Sequence, residues 1–201
     1  KKSRVGSRLA VVGMNGSGKT TFIKLLCRLY DPMEGEILLN GIDIRKYRYD
    51  EYMDIFSVVF QDFKLFALPL GQNVATGSTY DEKRVTDCLI KAGFGERLKT
   101  LEKGLDTYLY KQLDKDGVEM SGGEEQKIAI ARALYKDAPF IVLDEPTAAL
   151  DPVAEAEIYE KFNDIAGDKT AIYISHRLSS CKFCDEIAVF DGGRMIQFGT
   201  H

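Results

Sequence analysis

A glycine-rich octapeptide between an apolar strand and a helix limits the possible fold more than any other feature of this chain. Gly13-Met14-Asn15-Gly16-Ser17-Gly18-Lys19-Thr20 fits G-x-x-x-x-G-K-[ST], in which glycines let backbone N–H groups turn inward around an oxyanion. The helix that follows aims its unsatisfied donors and its positive dipole end at the same point. Before the loop, Leu9-Ala10-Val11-Val12 reads as a buried parallel strand. After it, Phe22, Leu25, Leu26 and Leu29 recur at helical spacing until Asp31-Pro32 stops the helix. In such a cradle Lys19 reaches the β/γ-phosphates of a nucleotide and Thr20 a magnesium ion.

Strand and helix signals alternate through most of the chain. Glu36-Ile37-Leu38-Leu39 and Ile42-Asp43-Ile44 flank the tight-turn pair Asn40-Gly41 and predict a small hairpin. Phe56-Ser57-Val58-Val59-Phe60 reads as a buried strand that delivers Gln61 to a strand's C-terminal edge, where ligands of open α/β sheets gather. Between residues 71 and 116 strand signals fade and charge rises, and Val85, Cys88, Leu89 and Ala92 mark an amphipathic helix closed by Gly93. Strands resume at 140–143, 171–174 and 187–190, the last turning through Asp191-Gly192-Gly193 into Arg194-Met195-Ile196. The expected fold class is α/β: a mostly parallel sheet flanked by helices, with a small antiparallel part and an inserted helical subdomain.

Composition excludes several function classes. With 201 residues, 45% hydrophobic and 29% charged, the chain is long and apolar enough for one sizeable α/β domain and is not disordered. A net charge of −4 and the lack of a basic stripe argue against nucleic acid as a partner. No apolar run approaches the ~18 residues that span a bilayer, so a membrane role is expected to come through a partner or through further sequence. Cys27 and Cys88 fall on apolar helix faces and suit reduced, packed thiols. Cys181-Lys182-Phe183-Cys184 is a lone C-x-x-C without a second pair, read as two ordinary thiols rather than a zinc or redox site.

The remaining polar motifs carry chemistry. Phe140-Ile141-Val142-Leu143-Asp144-Glu145 is an apolar strand ending in two carboxylates. Asp144 suits magnesium, and Glu145 suits a base that polarises an attacking water. On their own the pair could equally cap a helix before Pro146; beside a phosphate loop, the chemical role is expected. Met120-Ser121-Gly122-Gly123-Glu124 opens a second glycine-bearing helix start, and Ser121-x-x-Glu124 is also a capping box. One nucleotide does not easily touch two such helix starts in one small domain, so the second is expected to serve a nucleotide bound to another copy.

Together, over nearly the whole chain, these motifs resemble the nucleotide-binding domain of an ATP-binding cassette (ABC) transporter. The resemblance makes residues 13–20 the Walker A loop, Gln61 the Q-loop glutamine, Ser121-Gly122-Gly123-Glu124 the signature, and residues 140–144 with Glu145 Walker B. Ala148-Ala149-Leu150-Asp151 becomes the D-loop and His176 the switch histidine. Ile174-Ser175-His176-Arg177-Leu178-Ser179 and Gln197-Phe198-Gly199-Thr200-His201 are more similar to exporters than to importers. What it implies is a P-loop NTPase core in two parts. Residues 1–70 would hold Walker A and the Q-loop, and residues 121–201 Walker B, the D-loop and the switch histidine. A helical subdomain, 71–120, would lie between them and end in the signature.

The resemblance also implies ATP and Mg²⁺ as cofactors and ATP hydrolysis as the activity, with Glu145 and His176 catalytic. Gly13, Met14, Asn15, Gly16, Ser17, Gly18, Lys19, Thr20 and Thr21 would hold the nucleotide, and Thr20, Gln61 and Asp144 the metal. Ser121, Gly122, Gly123, Glu124 and Asp151 would reach the nucleotide of a second nucleotide-binding domain docked head to tail. The other expected partners are transmembrane domains, in the same chain or separate, which places the chain at the cytoplasmic face of a membrane. A soluble relative acting on ribosomes or DNA would show tandem domains, a coiled-coil insert or a basic surface. A non-hydrolysing switch would be expected to lack Glu145 or His176.

Three departures from the family pattern stand out. Glu124 replaces the common glutamine, adding negative charge not far from the partner's γ-phosphate. Leu113-Asp114-Lys115-Asp116-Gly117 keeps only the last glycine of the segment that senses the membrane partner in exporters. The adenine-stacking aromatic lies upstream of Walker A in the family and has no counterpart here, so the sequence is expected to be a segment trimmed at both ends.

Overall fold

The computed structural model describes residues 6–145, 166–176, 182 and 184–200. They fall into two compact units, one drawn from the spans Lys1–Val58, Ala138–Glu145 and Asp168–His201, the other from Val59–Asp137 and Pro146–Gly167.

Apolar runs at β1 (Arg8–Val12), β5 (Phe140–Asp144) and β6 (Thr170–Ser175) are buried almost throughout, the pattern of strands covered on both faces. With β4 (Phe56–Val59), β7 (Glu186–Asp191) and β8 (Arg194–Gly199) they form one six-stranded sheet in the order β4-β5-β6-β1-β7-β8. The pairs β1/β6, β1/β7 and β5/β6 are parallel, and β7/β8 is antiparallel. The expected hairpin is present as β2 (Leu38–Leu39) and β3 (Ile42–Asp43). Its turn residues Asn40 and Gly41 have φ of 52° and 81°, as a two-residue hairpin turn of matching twist requires. The mostly parallel α/β sheet with a small antiparallel part is thus borne out.

Helix α1 (Lys19–Leu26) ends earlier than its apolar spacing predicts. Leu29 is 39% exposed, and the deeply buried residues are Ile23 and Cys27. A Schellman closure explains the early stop: Leu29 N–H donates to the Lys24 carbonyl at 2.8 Å and Arg28 N–H to that of Leu25 at 3.1 Å. Arg28, not a glycine, takes the left-handed position at φ 55°. Its guanidinium donates to the Tyr47 carbonyl at 2.8 Å, which helps hold that conformation. Downstream of η-turn residues 44–46, α2 (Tyr49–Asp54) braces the same helix end, its buried Tyr52 hydroxyl donating to the Leu26 carbonyl at 2.7 Å.

The second unit is helical, with α3 (Leu70–Ala75), α4 (Glu82–Lys91), α5 (Gly95–Lys99) and α6 (Gly122–Lys136). Helix α6 packs on α3 and α4. Val85, Cys88 and Leu89 form the buried face of α4, as their spacing predicts, and Gly93 closes it at φ 83° with the same Schellman bonds. A polar knot around the buried Asn73 ties this unit together. Asn73 accepts from Phe66 N–H at 2.9 Å and donates to the Phe66 and Leu68 carbonyls. Arg132 of α6 donates to the Asn73 and Lys64 carbonyls at 2.8 and 3.1 Å. Cys27, Cys88 and Cys184 are buried, and no cluster of metal-ligating side chains occurs among the described residues. Cys181 lies outside them.

Candidate functional site

Strand register decides which residues meet in the first unit. Val12 pairs with Ser175, and Asp144 with Ile174. Residues immediately after β1, β5 and β6 therefore emerge together at the C-terminal edge of three adjacent parallel strands. Those residues are Gly13, Glu145 and His176.

The loop after β1 is shaped by backbone contact. Gly16 and Gly18 have φ of 77° and 99°. At Gly13 an added Cβ would lie 2.3 Å from the Phe190 carbonyl oxygen, so the loop lies directly against β7. A Cβ on Gly18 would lie 3.2 Å from Gly193 Cα, and Gly193 N–H donates to the Ser17 carbonyl at 3.1 Å. The β7–β8 turn thus backs the loop, a role the sequence signalled only as a turn.

This loop fits a polyphosphate. Helix α1 starts from Gly18 with no side-chain cap and no acidic residue in its first turn, which leaves its leading N–H groups to an anion. The Ser17 hydroxyl is buried without a hydrogen-bond partner among the described residues. Lys19 is 5% exposed and folds back to donate to the Gly13 and Met14 carbonyls at 2.8 and 3.0 Å. Met14, Asn15 and Gly16 are exposed and Thr21 lies in the first turn of α1. The Thr20 hydroxyl donates to Asp144 Oδ2 at 3.1 Å. A hydroxyl and a buried carboxylate in contact form a hard-oxygen pair suited to a divalent cation such as Mg²⁺.

Glu145 links the two sides of the edge. Its Oε1 lies 3.9 Å from Lys19 Nζ and its Oε2 lies 3.6 Å from His176 Nδ1, with the carboxylate only 9% exposed and the imidazole 43%. Its backbone has φ 48° and donates to the Ile174 carbonyl at 3.2 Å. A left-handed glutamate costs about 1–2 kcal/mol, and such strain is concentrated where a side chain must be aimed.

The second unit holds Gln61, exposed just beyond β4, and the 121–124 segment. Ser121 caps α6 through a complete capping box: its hydroxyl accepts from Glu124 N–H at 3.3 Å, and Glu124 Oε2 accepts from Ser121 N–H at 2.8 Å. Glu124 Oε1 also meets Arg97 Nε at 2.7 Å, a partner that no local pattern announced. Asp151 and the rest of 148–151 lie outside the described residues.

A family model described as ABC transporter matches residues 2–148. The chain is 43% identical over 202 residues to the subtilin transport ATP-binding protein SpaT of Bacillus subtilis, covering 98% of this chain and 32% of that protein. It is 40% identical to an ATP-dependent lipid A-core flippase of Polaromonas, with 98% and 33% covered. Among solved structures, a bacterial Atm1-family ABC exporter with ATP bound superposes with a TM-score of 0.88 at 38% identity, over 98% of this chain and 34% of that one. The chain therefore spans about a third of the length of these relatives.

Proposed function

The chain belongs to the ABC transporter family, and we propose that it is the ATP-hydrolysing motor of an exporter, working as one of two nucleotide-binding domains closed head to tail around two ATP. The observation that carries the proposal is the convergence of Lys19 and His176 on the two oxygens of the Glu145 carboxylate, next to the Thr20–Asp144 pair.

On this assignment the loop N–H groups and Lys19 bind the β- and γ-phosphates, which requires Lys19 to leave the Gly13 and Met14 carbonyls it now faces. Thr20 and Asp144 would hold Mg²⁺, which would supply neutralisation of phosphate charge. Glu145 orients and polarises the attacking water, and His176 steadies both the Glu145 carboxylate and the γ-phosphate. Phosphoryl transfer needs mainly positioning and charge neutralisation, and these side chains supply both. Ser121, Gly122, Gly123 and Glu124, together with Asp151, face the nucleotide of the second domain. Transmembrane domains, in the same chain or separate, transmit the motion, with the motor at the cytoplasmic face and nucleic acid playing no part. No helix among the described residues is long and apolar enough to cross a membrane.

Steady-state phosphate release and ATP binding by wild type and Glu145→Gln test the assignment. A general base typically contributes about 10²–10⁴-fold, so turnover is expected to fall by that order while ATP still binds. Equal rates would remove Glu145 from the mechanism.

A further inference from the structure

We propose that Arg97 is a positioning residue for the signature, neutralising Glu124 so that an acidic helix start remains able to face a nucleotide phosphate. The proposal rests on the assignment of residues 121–124 as the phosphate-facing signature.

Helix α6 begins with two acidic residues, Glu124 and Glu125, in its first turn. Carboxylates there stabilise the helix through its dipole but compete with any anion approaching the same N–H groups. Both are engaged internally. Glu124 Oε2 accepts from the Ser121 amide at 2.8 Å, and Oε1 forms an ion pair with the Arg97 guanidinium, 2.7 Å from Nε but without the alignment of an Nε–H hydrogen bond. Glu125 accepts a short hydrogen bond from the Tyr110 hydroxyl, whose pKa is pushed up by burial and then by that carboxylate, so the phenol stays a donor. Arg97 is fixed in turn by Thr100, whose Oγ1 accepts from its guanidinium at 3.0 Å.

The pairing is chemically selective. A carboxylate gives one oxygen to the Ser121 amide and carries the negative charge that the Arg97 guanidinium neutralises. A glutamine can keep the Ser121 bond through its single acceptor oxygen, but it brings no charge to pair with the guanidinium, and its NH₂ offers that guanidinium only further donors. Arg97 and Glu124 thus form a matched pair, and an arginine on α5 is what makes the acidic variant workable. The extra charge at Glu124, taken alone, predicts that Glu124→Gln raises ATP-driven association; Arg97 removes the reason for that gain.

The test compares Arg97→Met, Arg97→Lys, Glu124→Gln and the Arg97→Met/Glu124→Gln double variant in the protein. The measurements are the ATP concentration for half-maximal hydrolysis at low and high salt, and thermal unfolding without nucleotide. Baring a carboxylate near a phosphate is expected to raise half-maximal ATP about three- to tenfold in Arg97→Met, less at 0.5 M salt because exposed charges are screened. Arg97→Lys keeps the charge and is expected to stay within about twofold. In the Glu124→Gln background, Arg97→Met is expected to change half-maximal ATP by less than about twofold. An equal, salt-independent effect of Arg97→Met in both backgrounds, tracking a loss of thermal stability, would show a merely structural arginine and overturn the proposal. No effect in either background would overturn it too. A wild-type protein that neither binds nor hydrolyses ATP would instead bring down the functional assignment on which the proposal stands.

Discussion

Replacing Gly13 by alanine tests whether the phosphate loop is fixed by contact with the sheet rather than by glycine flexibility. The new methyl would sit 2.3 Å from the Phe190 carbonyl oxygen and 2.5 Å from Ser17 Oγ, where ordinary contacts begin at 3.4 Å. Ser17 can rotate its hydroxyl away. Phe190 cannot yield so easily, because its strand is paired with β1 up to Val189 and Phe190 itself is paired with Met195 of β8. The Gly13 backbone must therefore move by roughly 1 Å, an overpacking cost of about 1–3 kcal/mol. For a domain of this size that lowers the melting temperature by about 2–12 °C. A misplacement of about 1 Å at the reacting phosphates costs on the order of 10²-fold in rate, so phosphate release is expected to fall by that order. Gly16→Ala is the comparison: nothing lies within 4 Å of its added Cβ, and only its φ of 77° is unfavourable. It is expected to lose about 1–2 kcal/mol of stability and less than about tenfold in rate. A Gly13→Ala protein that melts within about 1 °C of wild type and turns over within about twofold of it would refute the reasoning, as would a more damaging Gly16→Ala.

Arg132→Met deprives the Asn73 and Lys64 carbonyls of donors at 2.8 and 3.1 Å and Asn73 Oδ1 of one at 3.3 Å. Burial pushes the Arg132 pKa down. The Lys64 carbonyl is exposed and Asn73 Oδ1 keeps the Phe66 N–H, so the cost falls on the part-buried Asn73 carbonyl, and a loss of about 1–3 kcal/mol in denaturant unfolding is expected; a change below about 0.5 kcal/mol would contradict it. The Arg45 side-chain hydrogen bond holds Asp43 at a pKa of about 2, against 3.8 for the free carboxyl. The lowered folded-state pKa means that its contribution is present above about pH 4 and is lost as pH falls from 3.8 toward 2. Asp43→Asn is expected to flatten the unfolding midpoint across that window, and an unchanged acid slope would exclude Asp43 as its source.

Local chemistry was legible in the sequence wherever the partners are near neighbours. The phosphate loop, the Asn40-Gly41 turn, the Gly93 closure of α4 and the capping box of Ser121 and Glu124 each rest on residues within a few positions of one another. Spacing failed at the end of α1, where Arg28 adopts a conformation usually left to glycine and the helix closes before its apolar pattern does. That conformation depends partly on the Tyr47 carbonyl, 19 residues away, which no helix signal encodes. The site followed the same division. Asp144 and Glu145 announce themselves as carboxylates at a strand end, whereas their distances to Thr20 and His176 come from strand register, which brings together positions 124 residues apart in the case of Thr20 and Asp144. Glu124 shows the consequence most sharply. By sequence it is an added negative charge where a phosphate is expected; in the fold it is half of an ion pair whose other half lies in α5. A substitution that departs from a family pattern therefore has to be weighed together with its nearest charged neighbour in space, since the unit that must remain compatible with the ligand is the pair and not the residue.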